Sequence, residues 1–300
     1  MPSLPILFFM ILFLLESVIA IIENGFIIIV LGREWVTCWK LPPGDMILAS
    51  LGISRLFLHW TAILSNFHTY FSQTEIRLYL GIFWNFANMA TFWITTWLAI
   101  FYCVKISSFT HPIFLWLKWR ISRWVPCLLL CSLLLSILIC VPGFLKIYQI
   151  LQLPVTGNYS EKTTLEDRIH AFQKYFFLPQ QMFVLLIPFI FFLVSTILLI
   201  SFLCRHLGNM KQHNAGFLDP SMQVYITTLK SLFFFLILYT SYLLPLLISI
   251  MIPLSVCSSQ YWVWEVVTYA GISIHPTFLI LNSSKLRRAL KKMLHELQAS

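Results

Sequence analysis

Tyr79-Leu80-Gly81-Ile82-Phe83-Trp84-Asn85-Phe86-Ala87-Asn88-Met89-Ala90-Thr91-Phe92-Trp93-Ile94-Thr95-Thr96-Trp97-Leu98-Ala99-Ile100-Phe101-Tyr102-Cys103-Val104-Lys105 reads as one apolar helix. About 27 residues at roughly 1.5 Å each cross a hydrocarbon core about 30 Å thick. The two ends of this helix therefore lie on opposite sides of a membrane. Trp84 and Asn88 stand near one end, which suits a small molecule. The other end runs on into His111-Pro112-Ile113-Phe114-Leu115-Trp116-Leu117-Lys118-Trp119-Arg120-Ile121, an aromatic and basic run that suits a charged partner.

Composition extends this reading to the whole chain. Of 300 residues, 59% are hydrophobic and only 10% charged, and the mean hydropathy is +0.84. An ordinary soluble domain carries about 25% charged residues, so this is an integral membrane protein. Apolar runs predict seven helices at about 6–32, 43–66, 79–105, 124–146, 179–205, 225–252 and 261–284, forming a single all-α transmembrane domain over 1–300. The first run has no basic region ahead of it and exceeds a signal-peptide core, so it is expected to remain as an uncleaved helix. The tail at 285–298 is too polar to span. Its Leu286, Leu290, Met293 and Leu294 fall at helical spacing among Lys and Arg, which predicts a short amphipathic helix on anionic lipid.

The net charge of +9 resides mostly in short segments between the apolar runs, so nucleic acid is not an expected partner. Fourteen of the twenty Lys and Arg residues fall on one side of the predicted topology. That side should be cytoplasmic, with the N-terminus outside and the C-terminus inside. Asn158-Tyr159-Ser160, a glycosylation sequon, falls in the longest loop on the opposite, extracellular side.

Ionisable residues within the spans are costly in lipid and should face the bundle interior. Glu16 and Glu23 share one face of the first helix with Asn24 beside them, and Arg55 lies mid-span in the second. Asn24 and Arg55 are thus expected to form a structural polar core, Arg55 pairing with Glu16, Glu23 or Asn24. Glu265, after Trp262-Val263-Trp264, lies about one turn inside the extracellular end of the seventh helix. It reads either as a carboxylate for a cationic ligand or as part of an interfacial aromatic belt. Trp84 and Asn88, spaced i, i+4, project from one face, which suits a ring-bearing ligand but also plain helix packing. Tyr239, Thr240, Ser241 and Tyr242 place a polar patch mid-membrane just before Pro245. The Trp116 to Arg123 segment can lie along the membrane surface or dock a partner.

Most of the seven cysteines fall within or beside apolar helices and read as small hydrophobes. The chain has no HExxH, Walker A loop, GxSxG or paired His/Cys spacing, so neither enzymatic activity nor a metal or cofactor is expected. A small transporter or channel is the alternative suggested by Glu16, Glu23, Arg55 and Glu265, but the chain lacks the internal repeat common in transporters.

Several stretches carry a resemblance. They are Asn24-Gly25-Phe26-Ile27, Asp45 through Arg55, Thr96 through Ile106, His111-Pro112 with Leu115 through Ile121, Pro188-Phe189, Asp219-Pro220-Ser221, Leu229-Lys230-Ser231-Leu232, His275-Pro276 and Lys285-Leu286-Arg287. In this order they resemble the type 2 (bitter) taste receptors, a family of seven-helix G-protein-coupled receptors, across essentially the whole chain. The resemblance implies a plasma-membrane receptor that takes small bitter compounds in an extracellular-facing cavity. It also implies activation of a gustducin-type heterotrimeric G protein, followed by calcium signalling. It further implies that Trp84, Asn88 and Glu265 line the ligand pocket, with Tyr242 at its floor as an activation switch. Tyr102 and Lys105 match the place where many other receptors carry an acidic-Arg-aromatic triplet, and with His111, Lys118 and Arg120 they are expected to serve G-protein coupling. The chain departs from the family pattern at Gln223-Val224-Tyr225, at Asn282-Ser283 and at Pro245.

Overall fold

The computed structural model describes residues 2–71, 76–107, 112–152, 171–213, 220–252 and 254–299. Its elements are α1 (Leu4–Cys38), α2 (Pro43–Phe71), α3 (Ile76–Ile106), α4 (Pro112–Gln152), α5 (Leu178–His213), α6 (Pro220–Met251), α7 (Ser259–Asn282) and α8 (Ser284–Ala299), and a π-helical turn, Gln173–Phe177, leads into α5. Among the described residues there is no strand. Helices are what hydrocarbon permits, because each backbone N–H and C=O finds its partner within the segment.

Six of the helices, α1 to α6, are long and apolar enough to cross a membrane by composition. α7 is not among them, yet it completes the bundle between α1 and α6. Its 24 residues reach roughly 36 Å at about 1.5 Å per residue. Its polar Thr268, Ser273 and His275 are buried rather than turned to lipid, so inward-facing groups lower its hydropathy without barring it from the membrane. Ser258 caps its start, accepting the Tyr261 N–H at 3.2 Å.

α1 packs on α2 and α7, α3 touches α2, α4 and α5, and α6 lies between α5 and α7. Successive contacts fix the directions. Asn66, late in α2, meets Glu265, early in α7, while Arg55 lower in α2 meets His275 further along α7. The end where α1 begins is here called upper and the end where α8 lies, lower. Outward faces are bare hydrocarbon: Ile22 is 64%, Leu138 68% and Phe183 70% exposed. Such surface is normal against lipid and would be an aggregation hazard in water.

The core is aromatic. Phe13 meets Trp262 and Tyr269 at ring-centroid distances of 6.1 and 5.4 Å. Phe92 meets Tyr239 and Tyr242 at 5.1 and 5.5 Å, and Phe192 meets Tyr239 at 4.2 Å. These edge-on and offset pairs link α1, α3, α5, α6 and α7.

Two features differ from the sequence reading. α4 begins at Pro112 rather than near 124, so the aromatic and basic segment continues the membrane helix instead of forming a separate loop. Proline is favoured at a first helical position, where its missing N–H leaves no bond unmade. Arg55 does not pair with Glu16, Glu23 or Asn24. Its Nη1 bonds His275 Nδ1 at 2.6 Å. Glu23 instead accepts from Thr277 Oγ1 at 2.7 and 2.8 Å, and Asn24 Nδ2 donates to Ala20 O at 2.7 Å. Asn24 is nonetheless buried, 1% exposed, in the core.

At the lower end α8 packs against α7 and α1. Lys285 Nζ bridges Glu34 of α1 and Asp45 of α2 at 2.6 and 2.5 Å. Burial alone would lower its pKa, but the two carboxylates outweigh that and raise it. The lysine's contribution to the clasp is therefore fully present below its ordinary value of about 10.4 and is lost as the pH rises through the raised one. Leu286 is buried, while Met293 and Leu294 are left exposed further along α8.

α6 and α7 approach closely at Gly271, where a Cβ would lie 2.7 Å from Leu238 O and closer still to Ser241 Oγ. Gly271→Ala should separate the helices and cost about 1–3 kcal/mol, as overpacking does. Thermal unfolding of the detergent-solubilised chain checks this: the midpoint should fall by several degrees, and an unchanged midpoint would show that the helices have room.

Candidate functional site

Four helices, α2, α3, α6 and α7, converge at the upper end without filling the space between them. The chamber they leave measures about 190 Å3 and is walled by Asn66, Trp84, Leu246, Tyr261, Glu265 and Tyr269 among others. That is below the roughly 300–1,000 Å3 of most small-molecule pockets. It suits a small ring compound, or one group of a larger ligand.

Trp84 lies about two turns inside α3. Its Nε1 donates to the Tyr269 hydroxyl at 2.6 Å, which fixes the indole against α7. Glu265, near the start of α7, accepts from Asn66 Nδ2 at 2.8 Å. The Tyr261 hydroxyl donates to Asn66 Oδ1 at 2.6 Å, so one amide ties two α7 side chains to α2. Among the described residues Glu265 has no basic ion-pair partner. A carboxylate held by an amide, beside an aromatic wall, has the chemistry to accept a positive group.

One turn deeper, Asn88 is fully buried and its Oδ1 accepts the Tyr242 hydroxyl at 2.5 Å. The Tyr242 ring stacks on Phe92 at 5.5 Å. This pair forms no part of the chamber wall. It closes the space beneath, with a second small cavity lined by Tyr242, Arg55 and His275 below it. The structure thus brings Trp84 and Glu265 into one chamber and places Asn88 and Tyr242 under it.

Asn66, Tyr261 and Tyr269 are missing from the sequence reading. Aromatic and amide residues are common in apolar helices, and only the antiparallel register of α2 and α7 brings these onto Glu265 and Trp84.

At the lower end Tyr102 is half-buried and Lys105 exposed. Lys118 Nζ donates to Ser107 O at 3.2 Å, bracing α4 against the end of α3. The exposed Arg120 guanidinium lies 5.0 Å from the centre of the Trp116 ring, a cation–π contact on the α4 extension. His111 and Asn158 lie outside the described residues.

Helices crossing a membrane, a chamber of about 190 Å3 sunk into one end and basic side chains at the other define a multi-pass membrane protein. Residues 1–298 match the taste receptor protein (TAS2R) family. The chain is 48% identical to taste receptor type 2 member 134 of Rattus norvegicus, over 94% of this chain and 85% of that one. It is 46% identical to taste receptor type 2 member 62 of Pan paniscus, over 97% and 93%. With taste receptor type 2 member 16 of Homo sapiens it shares 43% identity over 95% and 96%. The chain belongs to the type 2 taste receptor family.

Replacing Asn66 tests the network. Asn66→Ala strips a donor from the Glu265 carboxylate and the acceptor from Tyr261, and an unmade buried bond costs about 1–3 kcal/mol. Thermal unfolding should show a midpoint lowered by several degrees, whereas Ser65→Ala on the same wall should leave it within a degree or so.

Proposed function

We propose that this chain is a bitter receptor that takes small bitter compounds in the upper chamber and activates a gustducin-type heterotrimeric G protein from its lower end. Family membership supports the receptor reading. The observation that carries the ligand reading is Glu265, held by Asn66 in the chamber that Trp84 walls and without a basic partner among the described residues. Trp84 offers a ring face, Asn88 and Tyr242 form the floor, and Tyr242 acts as the switch. A ligand shifts the receptor only by its differential affinity for the active arrangement.

On this reading the chamber faces the outside of the plasma membrane and the basic end faces the cytoplasm. Tyr102, Lys105, His111, Lys118 and Arg120 then meet the G protein. The exposed Lys291 and Lys292 beside Met293 and Leu294 rest α8 on anionic lipid. Asn158 carries the glycan.

Two measurements test these assignments. In a cell-based calcium assay, Glu265→Gln should raise the half-maximal concentration of cationic bitter agonists about tenfold or more, which corresponds to about 1.4 kcal/mol, with little change for neutral agonists. Equal loss for both classes would remove the carboxylate from ligand recognition. Glycosidase treatment should shift the gel mobility of the wild-type chain and leave Asn158→Gln unmoved. A wild type that does not shift would overturn the glycan.

A further inference from the structure

α6 and α7 are held together in mid-membrane and part toward their upper ends. Leu238 and Ser241 of α6 lie against Gly271 of α7. Higher up, Trp264 Nε1 donates to Pro245 O at 3.2 Å and ties the helices once more. Pro245 sits inside α6, where a missing N–H loosens the helix ladder. Above that bond the two helices leave a groove of about 410 Å3, walled by Ile248 and Ile252 of α6 and Val263 and Trp264 of α7 among others.

Ile248, Ile252 and Val263 are 43%, 58% and 36% exposed, so the groove opens outward. The stretch of α6 apolar enough to cross a membrane ends at Ser249, which sets the opening at the boundary between hydrocarbon and headgroups. On its inner side the groove adjoins the chamber, because Ser249 lines both. The Ser249 hydroxyl bonds back to Leu246 O at 2.8 Å, so the side chain shared by the two spaces is a small one folded onto its own helix. On α7 the two spaces meet at consecutive residues: Val263 and Trp264 line the groove and Glu265 the chamber.

We propose, resting on the reading of the chamber as the ligand site, that the groove takes the apolar tail of a cationic amphiphile whose head lies in the chamber. At about 190 Å3 the chamber alone is smaller than most small-molecule pockets, and the groove supplies the apolar volume it lacks. Amphiphiles collect at the headgroup boundary where the groove opens, with apolar surface buried and charge near water. A membrane lipid fits the pair of spaces less well. Its charge stays in the headgroup layer above its tail, whereas Glu265 lies about two turns down α7, beside the groove's deepest residue, Trp264. The occupant therefore runs sideways between α6 and α7, past Ser249, with its head inward and its tail toward lipid.

Binding of ethyltrimethylammonium and hexyltrimethylammonium to the purified full-length chain in nanodiscs tests the groove, read as the saturable rise in unfolding midpoint that a ligand of the folded state produces. The hexyl ion should half-saturate at a concentration at least about tenfold below the ethyl ion, since its extra methylenes are buried. Val263→Trp fills the groove from α7 and should remove most of that gain; Ile252→Trp does so from α6 and serves if the first variant does not fold. Partition of the longer tail into the bilayer raises its apparent affinity equally in wild type and variant, so a gain that survives the filled groove overturns the proposal. A wild type that binds both ions alike overturns the groove alone and leaves it to membrane lipid. Binding of neither ion overturns the groove and the chamber reading together. Glu265→Gln separates the two: weaker binding of both ions with the hexyl advantage kept supports both readings. Unchanged binding with that advantage kept removes Glu265 from head recognition and leaves the groove as the tail site.

Discussion

Hydrocarbon offers no hydrogen-bond partner, and most of this structure follows from that constraint. Polar side chains must turn inward and satisfy one another, so the interior becomes a ladder of cross-helix bonds. Its rungs are Asn66 to Glu265, Trp84 to Tyr269, Asn88 to Tyr242 and Arg55 to His275. Three of the four rungs end on α7. That concentration explains why α7 falls short of the hydropathy of a lipid-facing span and yet has a fixed place in the bundle. Its polar groups are its adhesive.

Aromatic packing supplies what the ladder cannot. Helices in lipid gain little from hiding apolar surface, so shape and ring contacts hold them together. Tyr242 serves both systems, its ring on Phe92 and its hydroxyl on Asn88. Tyr269 does the same, between Phe13 and the Trp84 indole. A residue shared by two networks is a stiff point. The chamber is framed by such points, which is why its wall is set by α2, α3, α6 and α7 rather than by loops.

The helices were legible in the sequence because apolar runs of spanning length have few alternative readings. The inward faces of Asn24, Arg55, Trp84 and Asn88 followed from helical spacing and the cost of polar groups in lipid. The partners did not. Arg55 and His275 are 220 residues apart, and nothing local distinguishes His275 from Glu16 or Glu23 as the nearer group. Charge matching favoured a carboxylate, whereas the register of α2 against α7 put an imidazole there. The α4 extension was hidden for another reason. Its Lys and Arg read as loop chemistry, while backbone bonding continues through them from Pro112.

The floor of the chamber is where recognition and movement would meet on the proposed reading. Asn88 Nδ2 is buried and has no partner, while the oxygen of the same amide accepts from Tyr242. A ligand group that lowers an acceptor to Nδ2 would gain a bond the resting protein leaves unmade. It would also crowd the tyrosine that closes the floor. α6 has little freedom to yield sideways there, since Leu238 and Ser241 press on Gly271 of α7. Displacement of Tyr242 would therefore be relieved along α6 rather than across it, toward the lower half where Phe235 rests on His275 at 4.6 Å. Tyr242, which a ligand would displace, and Phe235, which rests on His275 beside the buried arginine, are thus two turns apart on α6, with Tyr239 between them.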